Sequence, residues 1–244
     1  MIDTSKIFCE IIADDIADPL NNSFHAVENI QNERPGKWHK DILTYTIIRA
    51  TYDVEKLNQL KSAVNVFMTM WDIEINPTLI PSNDPNSDIR LYWRSSSEEQ
   101  YFKDKPSVLA VAYYPEQGEV SGIIIFNDDY FFNLTGDEVD AYLVDPIHYT
   151  KGDGKKIRGY NLLAIGGHEL GHTLGLTHST KTGSDDLMLP YYNPKVIWIS
   201  LNDIARVLLK YPAQSMKGLW YNSRMRAWVR ARLLRYQIKK GNVG

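Results

Sequence analysis

The segment His168-Glu169-Leu170-Gly171-His172-Thr173-Leu174-Gly175-Leu176-Thr177-His178 contains three histidines at a characteristic spacing. Positions i and i+4 of an α-helix lie on one face, so His168 and His172 can direct imidazole nitrogens at a single ion. Neutral imidazole nitrogens bind zinc at about 2.0–2.1 Å. The spacing therefore predicts a helix that presents two zinc ligands.

The remaining residues of this segment complete a predicted catalytic site. Glu169 follows the first ligand, where a carboxylate can accept a proton from a metal-bound water. Gly175 lies where the helix can end in a left-handed turn, which would bring His178 back toward the ion. Three histidines leave one coordination position open, which is typical of catalytic zinc. A milder interpretation, in which the site binds zinc without catalysis, stays open.

The composition is that of an ordinary globular chain. Its 244 residues are 43% hydrophobic and 23% charged, which suffices for a sizeable core. No apolar run approaches the length of about 18 residues that a membrane helix needs, and residues 1–20 do not resemble a signal peptide. Cys9 is the single cysteine, so no intramolecular disulfide is expected. We therefore expect a cytoplasmic or particle-associated protein, or one released by a non-standard route.

Charge and pattern divide the chain into three parts. Residues 1–34 form an acidic N-terminal extension and a candidate pro-segment, with a helical stretch predicted around residues 7–16. Residues 35–212 are patterned as one domain. Residues 213–244 contain eight Lys or Arg and no Asp or Glu, and a basic C-terminal helix is predicted from Leu219 to Lys240.

The basic C-terminal helix has several candidate partners. It can dock on the acidic body of the chain, or bind an anionic surface or a protein assembly. Nucleic acid is the less favoured partner, because no base-reading motif accompanies the basic residues.

Hydrophobic periodicity indicates strands and helices within the domain, with the strands clustered early and the metal-binding helix late. Asn161 is a predicted cap for the metal-binding helix, and Ser200 with Asp203 forms a capping-box-like helix start. Residues 137–160 are interpreted as a long surface loop. The predicted strands are Ile42–Ala50, Asp88–Trp93, Val108–Tyr113 and Gly122–Phe126, and the predicted helices are Val54–Trp71, Leu162–Leu174 and Ser200–Tyr211.

Several separated segments resemble the metzincin clan and, within it, the matrixins, which are zinc endopeptidases similar to matrix metalloproteinases. Gly159–Ser179 resembles the matrixin metal helix with its serine after the third histidine. Asp186–Tyr192 resembles the Met-turn, in which Met188 would pack beneath the zinc ligands. Lys37–Ile47 resembles the first strand and Ser200–Ile204 the start of the last helix. The resemblance implies an α+β, zincin-like fold with a twisted mixed sheet of about five strands and three main helices.

The resemblance also implies an activity and a substrate site. Such a protein would hydrolyse peptide bonds with one catalytic zinc held by the three histidines and with Glu169 as general base. An extended protein or peptide substrate would lie antiparallel to the edge strand Val108–Ala112, with contacts from Leu109 and Ala110. Ala164, Pro190 and Tyr192 would line the pocket for the side chain that follows the cleaved bond. The small side chain of Ala164 favours a bulky apolar group in that pocket.

Some positions depart from the matrixin pattern. Val111 and Ile125 stand where two histidines would hold a second, structural zinc, so that zinc is predicted to be absent. Asn127 and Tyr130 replace two residues of the adjacent calcium pattern, which leaves calcium binding doubtful. Cys9 does not lie in a cysteine-switch sequence, and it is interpreted as an inert thiol.

A second function from a different class stays open. The chain can be a catalytically weak or inactive component that uses the zinc fold as a scaffold within a larger particle or complex. Turnover on a peptide library separates this hypothesis from an active endopeptidase.

Overall fold

A computed structural model of the chain describes residues 9–12, 36–52, 57–134, 139–142, 156–180, 185–193 and 196–212. The predicted basic helix from Leu219 to Lys240 lies outside these residues, as does most of the N-terminal extension. The domain predicted for residues 35–212 is described over most of its length.

Six strands form the main sheet. They are β1 (Cys9–Ile12), β2 (Ile42–Arg49), β3 (Thr78–Pro81), β4 (Ile89–Arg94), β5 (Val108–Ala112) and β6 (Ile123–Asn127). Their spatial order is β1-β5-β6-β4-β2-β3. The neighbours from β6 to β3 are parallel, whereas β5 is antiparallel to both β6 and β1. The sheet is therefore mixed, with its antiparallel pairs at one side.

Helices and a smaller sheet complete the described part of the domain. The helices are α1 (Leu57–Asp72), α2 (Gln100–Asp104), α3 (Leu162–Thr173) and α4 (Leu201–Lys210), and the smaller sheet contains β7 (Phe132–Asn133), β8 (Val139–Tyr142) and β9 (Lys156–Asn161) in the order β7-β9-β8. Strand β9 runs directly into α3. None of the described helices is long and apolar enough to cross a bilayer.

The predicted fold class is confirmed, and two local predictions are wrong. The domain supplies five strands of the mixed sheet and three main helices, α1, α3 and α4. Cys9–Ile12, however, is a strand rather than part of a helix, because it pairs with β5. The expected loop at residues 137–160 contains β8 and β9, which pair with each other. Four-residue apolar strands are too short for periodicity to separate them from helix.

Helix α3 lies inside the domain, packed against α1. All twelve of its residues are buried. Trp71 of α1 donates from Nε1 to the Gly167 carbonyl at 2.8 Å. A Cβ atom on Gly171 would lie 2.3 Å from Met188 Sδ and 2.9 Å from the Trp71 ring. The glycine thus permits the close approach of Met188 to the helix, as the resemblance implies for the Met-turn.

Replacing Met188 by Ala should destabilise the domain by about 2–5 kcal/mol, because this fully buried side chain would leave a cavity beneath α3. Met188→Leu nearly conserves volume and should cost less than about 1.5 kcal/mol. Urea unfolding followed by tryptophan fluorescence measures both effects. Leu209→Ala, at a side chain that is 86% exposed, is the matched control and should change stability little. Equal losses for Met188→Ala and Leu209→Ala would contradict the packing role.

Candidate metal centre

The three predicted histidine ligands converge on one point. His168 and His172 are buried on α3, and His178 is half-buried in the segment that follows the helix. The ring centroid of His178 lies 5.3 Å from that of His168 and 5.0 Å from that of His172. One potential ligand atom from each side chain lies within 4.8 Å of the other two. Their donor atoms are those that zinc prefers.

Local signals in the sequence explain where α3 begins and ends. The Asn161 side chain accepts hydrogen bonds from the backbone N–H groups of Leu163 at 3.0 Å and Ala164 at 3.4 Å, as the predicted cap requires. After the helix, Gly175 has a φ of +88°. A Cβ atom there would lie 2.2 Å from the Gly36 carbonyl oxygen. The predicted left-handed glycine turn is confirmed, and it leads the chain back to His178.

Backbone carbonyls fix the orientation of the two helical histidines. Nδ1 of His168 lies 2.7 Å from the Leu187 oxygen, and Nδ1 of His172 lies 2.6 Å from the Leu176 oxygen. A carbonyl oxygen can only accept, so each Nδ1 carries the proton and each Nε2 keeps its lone pair. The two Nε2 atoms lie 2.8 Å apart. Tetrahedral zinc needs about 3.3–3.4 Å between ligand nitrogens, so the two nitrogens lie somewhat closer here than in a zinc-bound site.

Burial also sets the protonation state of these imidazoles. Desolvation, and secondly the nearby His178, lowers the pKa of His168 to about 3. Desolvation, followed by the neighbouring histidines, lowers the pKa of His172 well below its usual value. Both rings are therefore neutral near pH 7, which is the form that binds a metal.

The predicted general base lies on the same helix. Glu169 is fully buried, one residue after the first histidine. A carboxylate removed from bulk water, on the helix that carries two candidate metal ligands, has the chemistry that proton transfer at such a site requires. Its role as general base stays a prediction.

A buried carboxylate links the segment after the third histidine to the Met-turn and α4. Asp186 Oδ2 accepts from Ser179 Oγ at 2.5 Å and from Asn202 Nδ2 at 2.7 Å, while Oδ1 accepts from Ser200 Oγ at 2.6 Å. The serine after the third histidine thus holds the start of the Met-turn. These residues belong to separate sequence motifs, and no local pattern indicates that one carboxylate connects them.

A second buried carboxylate supports the carbonyl that orients His168. Asp203 forms the predicted capping box with Ser200, and its Oδ2 also accepts from the Leu187 backbone N–H at 2.8 Å. Burial raises the pKa of the Asp203 carboxyl, and the neighbouring Asp186 raises it further, whereas the hydrogen bond from Ser200 lowers it. The carbonyl of the same Leu187 accepts from His168. Helix α4 therefore contributes to the orientation of a metal ligand.

A cleft opens beside His168. The cleft is shallow and open to solvent. Ala164 and Tyr192, both predicted pocket residues, line it, and the Tyr192 hydroxyl accepts from the Asn161 backbone N–H at 2.8 Å. Pro190 is half-buried and does not line this cleft. The other lining residues are His168, Asp186, Leu187, Tyr191, Asn193 and Val196.

The predicted substrate strand is already paired. Leu109 and Ala110 are buried in β5, whose outer edge is occupied by β1 in antiparallel orientation. Ile11 lies opposite Ala110 and Ile12 opposite Val108, with an irregularity between them. Strand β1 also approaches α3, which carries two of the histidines. Residues 9–12 of the N-terminal extension therefore lie close to the helix that carries two of the candidate ligands.

The two apolar replacements in the matrixin pattern lie side by side. Val111 of β5 pairs with Ile125 of β6, and both are buried in an apolar cluster that also contains Phe102. Asn127 is buried, and its Nδ2 donates to the Val108 carbonyl at 2.8 Å. The absence of a structural zinc and the doubtful calcium site stay predictions.

Comparisons with known proteins identify the family. A family model described as matrixin matches residues 37–211. Matrix metalloproteinase-26 from Homo sapiens is 28% identical over 177 residues, which are 70% of this chain and 58% of that protein. Stromelysin-1 from Equus caballus is 32% identical over 182 residues, 72% of this chain and 33% of that protein. Karilysin from Tannerella forsythia is 27% identical over 164 residues, 64% of this chain and 29% of that protein. The chain thus spans less than three fifths of the length of these relatives, and it belongs to the matrixin family.

Proposed function

We propose that the chain is a zinc-dependent endopeptidase that hydrolyses peptide bonds in extended protein segments. The observation that carries the proposal is the convergence of potential ligand atoms from His168, His172 and His178 within 4.8 Å of one another. Membership of the matrixin family supports the same activity. Three neutral imidazoles leave an open coordination position, which distinguishes a catalytic from a structural zinc site.

The chemistry divides between the ion and Glu169. Zinc, when bound, supplies a Lewis acid that polarises the substrate carbonyl and lowers the pKa of a water to about 7. The buried Glu169 carboxylate accepts a proton from the water that attacks the carbonyl carbon. As the C–N bond breaks, Glu169 passes that proton to the leaving amine nitrogen. Water is thereby divided between the new carboxyl and amine ends.

Substrate binding is assigned to β5 and the cleft. The backbone of β5 gives an extended peptide its register through antiparallel pairing, at the level of Leu109 and Ala110. The cleft lined by Ala164 and Tyr192 lies beside His168, where the side chain after the cleaved bond would enter. Ala164 and Tyr192 are therefore proposed to select that side chain, and the small Ala164 leaves room for a bulky apolar group. Pro190 is retained as a proposed wall residue next to the cleft.

The N-terminal extension is proposed to regulate access to this site. Strand β1 occupies the β5 edge in the antiparallel direction assigned to substrate. Because it is part of the same chain, its pairing with that edge is intramolecular, which favours it over a peptide in dilute solution. A peptide substrate and β1 would therefore compete for the same backbone groups of β5.

Removal of the metal or of the general base should abolish cleavage. We expect ortho-phenanthroline to eliminate activity on a random peptide pool, and added zinc to restore it.

Glu169→Ala should lower kcat/KM by about 10²- to 10⁴-fold or more, because proton transfer loses its acceptor. Mass spectrometry of the products measures both effects. Glu119→Gln, which neutralises an exposed carboxylate, is the control and should leave cleavage unchanged.

Two outcomes would contradict this assignment. Equal cleavage by wild type and Glu169→Ala would remove Glu169 from the chemistry. A wild-type protein that takes up one zinc and turns over no peptide would favour the alternative role as an assembly or binding component.

Deletion of residues 1–34 should raise peptidase activity, because it frees the edge of β5. Simple competition predicts a lower KM for peptides with kcat little changed. Deletion of residues 1–7 alone keeps Cys9–Ile12 and serves as the matched control, with kinetics close to those of the full chain. The substitution Ile11→Pro, which disfavours strand pairing, should reproduce part of the gain. An unchanged KM after removal of residues 1–34 would show that β1 does not compete with substrate.

A further inference from the structure

The third histidine lacks the support that a helix gives the other two. His178 lies in residues 176–180, which have no regular secondary structure. One backbone contact holds this segment to the Met-turn, where the Ser179 N–H donates to the Met188 carbonyl at 2.7 Å. A ligand on irregular backbone needs further contacts if its imidazole is to stay in place for a metal.

Arg206 of α4 makes those contacts. Its Nη2 donates to the Thr177 carbonyl at 2.6 Å, to the Thr177 hydroxyl at 3.1 Å and to the His178 carbonyl at 3.2 Å. Its Nη1 lies 3.6 Å from Asp203 Oδ1. One guanidinium therefore joins the two carbonyls that flank the α-carbon of His178 to a buried carboxylate of α4.

The geometry suits a guanidinium in particular. Its donors have a fixed planar arrangement, and hydrogen bonds from a charged donor are stronger than neutral ones. The side chain is 24% exposed, whereas the Asp203 side chain is fully buried. Asp203 uses its other oxygen to hold the Leu187 N–H, and the Leu187 carbonyl orients His168. Asp203 and Arg206, three residues apart on α4, thus hold the backbone next to two candidate ligands, His168 and His178.

We propose that Arg206 is a positioning residue for the third zinc ligand. It touches neither the ion nor the substrate, and it acts by holding the backbone of His178 so that the imidazole stays directed at the two histidines of α3. This inference rests on the zinc site of the proposed function. It assigns a role to a residue that the sequence motifs did not single out.

Zinc release separates positioning from general packing. The rate constant for zinc transfer from the full chain to an excess of a chromophoric chelator is measured for wild type, Arg206→Ala and Arg206→Lys. Loss of an outer contact to a metal ligand typically costs about 10- to 100-fold in metal affinity, and we expect Arg206→Ala to release zinc faster by a similar factor. Arg206→Lys should fall between the two, because an ammonium keeps the charge and can donate to the carbonyls but has no second nitrogen to pair with Asp203 at the same time.

Lys210→Ala is the matched control. Lys210 is a cation on the same helix, and its ammonium contacts the Gly36 carbonyl at 3.4 Å rather than the ligand segment. Its removal should leave the zinc release rate at the wild-type value. The midpoint of thermal unfolding of each metal-free protein is measured in parallel. Arg206→Ala should lower it, because the fully buried Asp203 loses its ion-pair partner, so zinc release is compared at a temperature at which every metal-free variant is folded.

Three results would overturn the proposal. These are wild-type zinc release by Arg206→Ala, equally accelerated release by Lys210→Ala, or release by Arg206→Ala that is faster only at temperatures at which its metal-free form has begun to unfold. The test does not measure peptide cleavage, so a failure of the proposed peptidase function can be told apart from a failure of the role proposed for Arg206. A wild-type protein that binds zinc without cleaving peptides would contradict the proposed endopeptidase activity and would not affect the role proposed for Arg206.

Discussion

Placing two imidazoles on a fully buried helix is the constraint on which the rest of the structure depends. Each ring on α3 has a polar nitrogen on the side away from the metal centre, and a buried polar atom needs a partner within the protein. The carbonyls of Leu187 and Leu176 provide these partners. The Met-turn and the glycine turn after the helix are therefore determined as much by hydrogen-bond satisfaction as by packing.

The same constraint explains why buried carboxylates gather around the Met-turn. The Leu187 N–H is held by Asp203, and the serine that follows His178 is held by Asp186. Asp186 also accepts from the Ser200 hydroxyl, and Asp203 accepts from the Ser200 backbone N–H at 3.4 Å, so one serine at the start of α4 connects both carboxylates. The candidate ligands are thus oriented by contacts from three segments that are distant in sequence. Such contacts favour a single arrangement of ligands before any ion binds.

The sequence predicts those parts of the fold and site that depend on local rules. The two helical histidines, the Asn161 cap, the left-handed Gly175 and the capping box at Ser200 each follow from residue type and spacing, and all are present. Contacts between distant segments could not be predicted in this way. The bond from Asp203 to Leu187 spans 16 residues and the bonds from Arg206 to Thr177 span 29 residues. No local pattern records such a pair, since either partner alone looks like a surface or capping residue.

Strand β1 illustrates the other limit, because its structure depends on what it pairs with. Four residues such as Cys9–Ile12 have no secondary structure of their own, and they become a strand through the edge of β5. An open edge exposes unpaired N–H and C=O groups and invites association with other chains. Every residue of β5 is buried, so its side chains offer an incoming strand little discrimination, and the backbone groups accept any extended segment. Selectivity between β1 and a substrate would then have to come from the cleft beside His168. A peptide with an apolar side chain that fills the space next to Ala164 gains a contact in addition to pairing with β5, and that contact would give it an advantage over a competitor that is always present.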